Sequence, residues 1–231
     1  MSKSNNKNLL YLIQQAGALM QTFRSHKRHL KTSFDTIASH SYLVAIMSYC
    51  IAKTEGLSEE DARKATMLAI VHDLPEARTG DLDFVSKNYT KTDETKAVKD
   101  QLKNLDFGKE LIELFEEYDK KETKIAKIVR DADSLAQIYH EWVLTWQGNK
   151  LAEKWFEGEF IARVPYFFTE TAKDLVHSMK DSNPNEWWWN EYVDAEGNAK
   201  TKEHLLGKNY QKVNINMNKK QMKRMRKVKK S

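Results

Sequence analysis

Cysteine, proline and glycine are all scarce, with one, three and eight among 231 residues. The lone thiol, Cys50 in "MSYCIA", excludes an internal disulfide framework and fits a reducing, cytoplasmic setting. Its simplest role is a small buried apolar side chain. So few breakers argue against a turn-rich β architecture and for an all-α chain rich in Leu, Ala, Lys, Glu and Met. No apolar run approaches the roughly 20 residues that cross a bilayer. The opening "MSKSNNKN" lacks the apolar stretch of a secretory signal, so no membrane partner is expected. A glycine-rich phosphate loop, a CxxC pair and a GxSxG elbow are also missing, which leaves no sign of serine-type nucleophilic catalysis.

Charge is present but uneven. The formal net charge is +5, yet residues 219–230, "KKQMKRMRKVKK", hold eight Lys or Arg and no acid. The body without them is slightly acidic. That basic tail is expected to be a disordered, solubilising terminus, with a weak nucleic-acid contact as the alternative.

Apolar periodicity predicts helices over 9–23, 36–53, 58 to about 72, 93–104, 108–119, 121–147 and 165–180. Residues 76–92 read as an irregular loop. The first helix carries Leu9, Leu10, Leu12, Ile13, Leu19 and Met20 as its apolar positions. The second has the stripe His40, Leu43, Val44, Met47 and Ile51. The third begins at Ser58 in a near capping box with Asp61, and its inner face reads Ala62, Ala65, Ala69 and His72. Pro75 is expected to stop it, lacking an N–H and disfavouring helical geometry before it. The long helix presents Ile125, Ile128, Val129, Ala132, Leu135, Ala136, Tyr139 and Val143. One domain over 1–182 and an irregular extension over 183–231 follow, the latter containing the Trp187–Trp189 run. That run is expected to pack the extension onto the domain or a dimer partner, or else to cover a nucleotide. Trp142 and Trp146 share a helix face and read as core or interface.

Two histidines therefore end up on inward faces, His40 and His72. Asp73 beside His72 is a charge near the core, and ionised carboxylates are seldom buried without compensation. A divalent cation taking imidazole nitrogens and carboxylate oxygens would satisfy all three. In "RDADSL" the long helix offers Asp131 and Asp133 as a further ligand. Both lie roughly 100° from the apolar stripe, on opposite sides, so periodicity does not choose between them.

"ASHS" at 38–41, "HDLPEARTGD" at 72–81 and "ADSL" at 132–135 resemble the HD-domain metal-dependent phosphohydrolases, with their H…HD…D pattern. The bacterial 5′-deoxynucleotidase branch is similar over about residues 9–150. The resemblance implies an all-α bundle in which His40, His72, Asp73 and Asp133 bind one divalent ion (Mn²⁺, Co²⁺, Fe²⁺ or Mg²⁺). Asp133 is preferred to Asp131 because the family's late Asp precedes Leu by two positions. By the same resemblance Glu76 helps activate the attacking water, and Asp81, Leu82, Asp83 and Phe84 contact the deoxyribose. The branch also carries an Arg-Trp pair some fifteen residues before its first histidine. That offset falls on Ser25 here with no Trp nearby, so Arg24 and Arg28 are the phosphate-binding candidates, Arg24 preferred. Ser39 stands where the family usually has Glu. The implied substrate is a deoxynucleoside 5′-monophosphate and the implied assembly a homodimer. A deoxynucleoside triphosphate triphosphohydrolase, or a non-catalytic nucleotide- or nucleic-acid-binding protein, are the alternatives.

Overall fold

The computed structural model describes residues 3–32 and 35–193; the basic tail 219–230 lies outside them. In chain order the helices are α1 (Lys3–Ala18), α2 (Lys27–Leu30), α3 (Ile37–Thr54), α4 (Glu59–Val71), α5 (Glu76–Thr79), α6 (Glu94–Leu102), α7 (Gly108–Lys120), α8 (Lys124–Trp146), α9 (Lys150–Ala162), α10 (Glu170–Lys180) and α11 (Glu186–Tyr192). Short 3₁₀ turns occupy Ser86–Asn88 and Val164–Tyr166. Among the described residues the only β pairing is an isolated antiparallel bridge between Phe23 and Thr36. No helix there is long and apolar enough to cross a membrane.

The described residues divide into two units, one ending at Asp181 and one starting at Ser182. The first centres on α3, α4 and α8, which bury Val44, Ile51, Leu68, Ile128, Val129 and Leu135 together. Alanines at 62, 65, 69, 132 and 136 line the same core. Small alanines interleave there with the larger Leu, Ile and Val side chains, and buried apolar area at roughly 25 cal/mol per Å² supplies the main driving force. A second cluster of Leu19, Ile37, Leu74, Val98, Leu102 and Phe115 fastens α6 and α7 beneath the turn after α4. Gly108 is required there, because a Cβ would collide with the Leu102 carbonyl. In the second unit, α11 exposes Trp187 and Trp189, and Trp188 meets Trp189 edge to face at 5.4 Å.

Helix starts follow from capping chemistry. Ser58 Oγ accepts from Asp61 N–H at 3.1 Å. Thr36 and Ser39 form a reciprocal box at the start of α3, satisfying two backbone donors that otherwise lack partners.

Several expectations need correction. α1 ends at Ala18, before the predicted limit, and Leu10, Ile13 and Met20 are exposed. α4 ends at Val71, ahead of Pro75, and Pro75 instead precedes α5. The region 76–92 is thus partly helical. α9 lay in a stretch where no helix was expected, and the extension contains α11. Cys50 is exposed, because Val44, Ser48 and Ile51 set the inner face of α3. Trp142 is buried while Trp146 is 55% exposed.

Asp131 turns away from the inward histidines. Its carboxylate accepts from Phe168 N–H at 3.1 Å, Thr169 N–H at 2.7 Å and Thr169 Oγ1–H at 2.8 Å, tying α8 to the start of α10. Asp131→Ala leaves those donors unmet and costs about 2–4 kcal/mol, measurable by urea denaturation.

Glu141 is fully buried on α8. Gln137 Nε2–H donates to its Oε1 at 3.0 Å, while Oε2 has no partner. Burial, then the neighbouring Glu159 carboxylate, pushes its pKa from 4.5 to about 7. The folded chain therefore keeps a proton that the unfolded chain has released between these values. Stability falls as pH rises through this window and stays lower above it, by on the order of 3 kcal/mol. Glu141→Gln is expected to gain most of that at pH 8 and little near pH 5. A pH-independent difference between the two denaturation curves would refute the assignment.

Candidate metal centre

α3, the end of α4 and the middle of α8 each deliver one short polar side chain to the same spot. His40 sits in the first turn of α3, with Nε2 3.0 Å from Asp133 Oδ1 and 3.7 Å from Asp73 Oδ2. His72 follows the last residue of α4. Its Nδ1 lies 2.6 Å from the Ala69 carbonyl, and since a carbonyl only accepts, Nδ1 carries a proton. Nε2 therefore faces Asp73 Oδ2 at 3.2 Å, off line for a hydrogen bond. Ligating atoms of His40, His72 and Asp133 lie within 4.8 Å of one another. Periodicity left Asp131 and Asp133 equivalent; the structure brings only Asp133 to the histidines.

Charge at this spot is tightly constrained. Burial works against the His72 imidazolium, but Asp73 and Asp133 overcome it and hold its pKa at about 9. Burial works against the Asp73 carboxylate as well, and His72, Arg24 and His40 together hold it below its ordinary value. Arg24 Nη1–H donates to Asp73 Oδ2 at 3.2 Å, and Nε stands 3.8 Å from Asp81 Oδ2. Glu76, in the first turn of α5, is partly buried, and its Oε2 has no hydrogen-bond partner. Burial, followed by Asp73 and Asp81, raises its pKa to about 9. Carboxyl oxygens thus outnumber the cationic partners that Arg24 alone can supply.

These features fit a divalent cation. Two imidazole nitrogens and the Asp133 carboxylate converge with Asp73 Oδ2 beside both rings, one buried nitrogen lacks an aligned partner, and His72 is oriented from behind by a carbonyl.

The remaining predicted residues form two layers. Asp81 follows Gly80, whose φ of 69° ends α5 in a conformation glycine adopts without strain. The Asp81 carboxylate accepts from Ser25 N–H at 2.8 Å. Farther out, Asp83 Oδ2 meets Arg28 Nη1 at 3.2 Å and His29 Nε2 at 3.3 Å, and Oδ1 accepts from Ser86 N–H at 2.6 Å. That backbone bond, aided by Arg28, pulls its pKa down to about 2. The Arg28 side chain is 65% exposed against 12% for Arg24, so only Arg24 reaches the histidine–aspartate group. Phe84 stacks on His29 at 4.6 Å and meets Trp155 edge-on at 6.3 Å. Leu82, Phe84, Gln137, Trp155 and Arg163 line a cleft of about 220 Å³ that Arg24 also borders.

Tyr118 escaped the sequence reading. Its hydroxyl donates to Asp133 Oδ2 at 2.7 Å, and its ring meets His72 edge-on at 5.1 Å. The available signal was its place at the end of the α7 stripe Leu111, Phe115, Tyr118, where a polar tip marks the point at which the stripe meets something polar.

Known proteins resemble this chain. The sequence model of the HD domain family matches residues 16–176. A Dictyostelium discoideum protein named 5′-deoxynucleotidase HDDC2 is 30% identical over 154 residues, covering 63% of this chain and 77% of its own. Its Bos taurus namesake is 31% identical over 145 residues, covering 60% and 68%. Among solved structures, a conserved hypothetical protein from Pyrococcus furiosus superposes with a TM-score of 0.60 at 28% identity, covering 74% of this chain and 98% of its own. The chain belongs to the HD-domain family.

Proposed function

We propose that this chain is a cation-dependent phosphohydrolase that converts a deoxynucleoside 5′-monophosphate to the deoxynucleoside and phosphate. The observation that carries this reading is the convergence of His40, His72 and Asp133, with Asp73 Oδ2 against both imidazoles and Arg24 and Glu76 beside them. Relatives named 5′-deoxynucleotidase support the substrate class.

In this reading His40, His72, Asp73 and Asp133 hold one divalent ion. Two nitrogens in the set favour Mn²⁺, Co²⁺ or Fe²⁺ over Mg²⁺, which prefers oxygen ligands. Such an ion supplies a Lewis acid for a phosphoryl oxygen and lowers the pKa of water. Arg24 orients the phosphate, because a planar guanidinium matches two phosphate oxygens at once. It already pairs with carboxylates there, so an incoming dianion replaces part of an existing charge interaction. Glu76 is the proton relay, its buried Oε2 lacking a hydrogen-bond partner; a bound cation's charge would lower its raised pKa and free the carboxylate to take a proton. Tyr118 fixes the Asp133 carboxylate through its hydroxyl. Leu82 and Phe84 border the sugar, while Phe84 and Trp155 offer aromatic faces to the base. Asp81 and Asp83 hold the segment in place through Ser25, Arg28 and Ser86.

The test incubates Mn²⁺- or Co²⁺-loaded full chain with deoxynucleoside mono- and triphosphates. Inorganic phosphate from the monophosphates is expected, and chelation abolishes it. Asp73→Asn is expected to lower kcat/KM by about 10³-fold or more, and Glu76→Gln by about 10²–10⁴-fold, with melting curves showing that both variants stay folded. Triphosphate release would replace the monophosphatase reading with a triphosphohydrolase. No turnover of any nucleotide by the metal-loaded protein would end it.

A further inference from the structure

A second histidine–carboxylate group lies outside the residues used above. His26 precedes α2, Asp35 lies just before α3, and His140 is on α8. One ligating atom from each of the three falls within 4.8 Å of the others. His26 Nε2 is 2.8 Å from Asp35 Oδ2, with both side chains close to nine-tenths buried. The two imidazole rings are 5.2 Å apart, tilted by 47°. Nε2 of His140 is buried without a hydrogen-bond partner, and His26 Nε2 has Asp35 Oδ2 as its one close neighbour. Leaving the His140 nitrogen in that state beside a histidine–carboxylate pair is costly unless something meets it.

The surrounding structure holds this trio in place. Arg24 N–H donates to the Asp35 carbonyl at 3.0 Å, and Ile37 N–H to the Thr22 carbonyl at 2.8 Å, closing the loop that carries His26. Asn149 Nδ2–H donates to the Leu30 carbonyl at 2.7 Å, and Leu30 packs with Leu144 and Ala152. Ser39 Oγ–H donates to Asp35 Oδ1 at 3.3 Å, leaving Oδ2 toward His26. A cleft of about 250 Å³, lined in part by Thr32, Asp35, Tyr139 and His140, adjoins the group and gives ions and water a route.

We propose that His26, Asp35 and His140 form a second binding site, for a divalent transition cation of the zinc or cobalt type. It is separate from the His40–His72–Asp73–Asp133 group. Two nitrogens and one oxygen suit such ions and leave coordination positions for water. An ion there would fasten the loop bearing Arg24 to α8 without taking part in the reaction, and would stabilise the fold by mass action.

Metal-stripped full chain is titrated with Co²⁺, read by visible absorption and by metal content after desalting. Two equivalents are expected. In an Asp133→Asn background one equivalent is expected, and adding His140→Gln should weaken it by more than the ~10–100-fold that losing an outer partner costs. Asp35→Asn in the same background should do likewise, and circular dichroism confirms that each variant is folded. Folded Asp133→Asn protein that binds no Co²⁺ would show that the trio is a hydrogen-bonded network only, which overturns the proposal. So would an affinity unchanged by both His140→Gln and Asp35→Asn. Failure of nucleotide hydrolysis alone leaves these readouts intact, so the two proposals are tested apart.

Discussion

The Asp73 carboxylate is the constraint around which the centre is arranged. It is enclosed by His72, His40 and Arg24, and burying an ionised group of this kind costs several kcal/mol unless partners compensate it. Every neighbour contributes to that balance. His72 is held at about 9, Arg24 is kept charged although burial opposes it, and Glu76 is left protonated near neutral pH. The carboxyls at this spot cannot all be ionised with Arg24 and the histidines as sole counter-charges. That excess of acceptors is what makes the centre fit a cation.

Short side chains can share one spot only if their backbones come close. Asp and His reach a few ångströms, so α3, α4 and α8 must come close where these side chains meet. The alanines at 62, 65, 69, 132 and 136 make this possible. The bundle's packing and the geometry of its centre are thus one requirement. Enlarging one of those alanines would overpack the core and move the ligands apart together.

Helix faces were legible in the sequence wherever a stripe was long. His40 and His72 each lie on an apolar stripe of three or more buried residues, and that periodicity was enough to point them inward. The choice between Asp131 and Asp133 was not available from α8 alone. Both flank the stripe, and what separates them is that α10 begins on one side while α3 lies on the other. Tyr118 was hidden because the residues around it on α7 are mostly charged. α5 and the Ser86–Asn88 turn span four and three residues, too few to show a period. α9, "KLAEKWFEGEFIA", interrupts its apolar positions with charges and Gly158, which weakens its signal although Asn149 caps it with two backbone bonds. Whether Cys50 was buried turned on the phase of α3, which a nearby apolar residue on either side could not resolve.

The loop before α3 and the segment after α5 are bound to each other at two depths. Close to the centre, Arg24 and Ser25 N–H meet Asp81. Nearer the surface, Arg28 and His29 meet Asp83. The deeper pair is shielded from solvent, so its charge interactions are strong and weakly screened by salt. The outer Arg28 side chain is 65% exposed, where an ion pair contributes little and yields to ionic strength. Water reaches the outer link first, so the two segments separate more readily at the surface than at the floor. Arg24 is thus held by the deeper, better shielded of the two links.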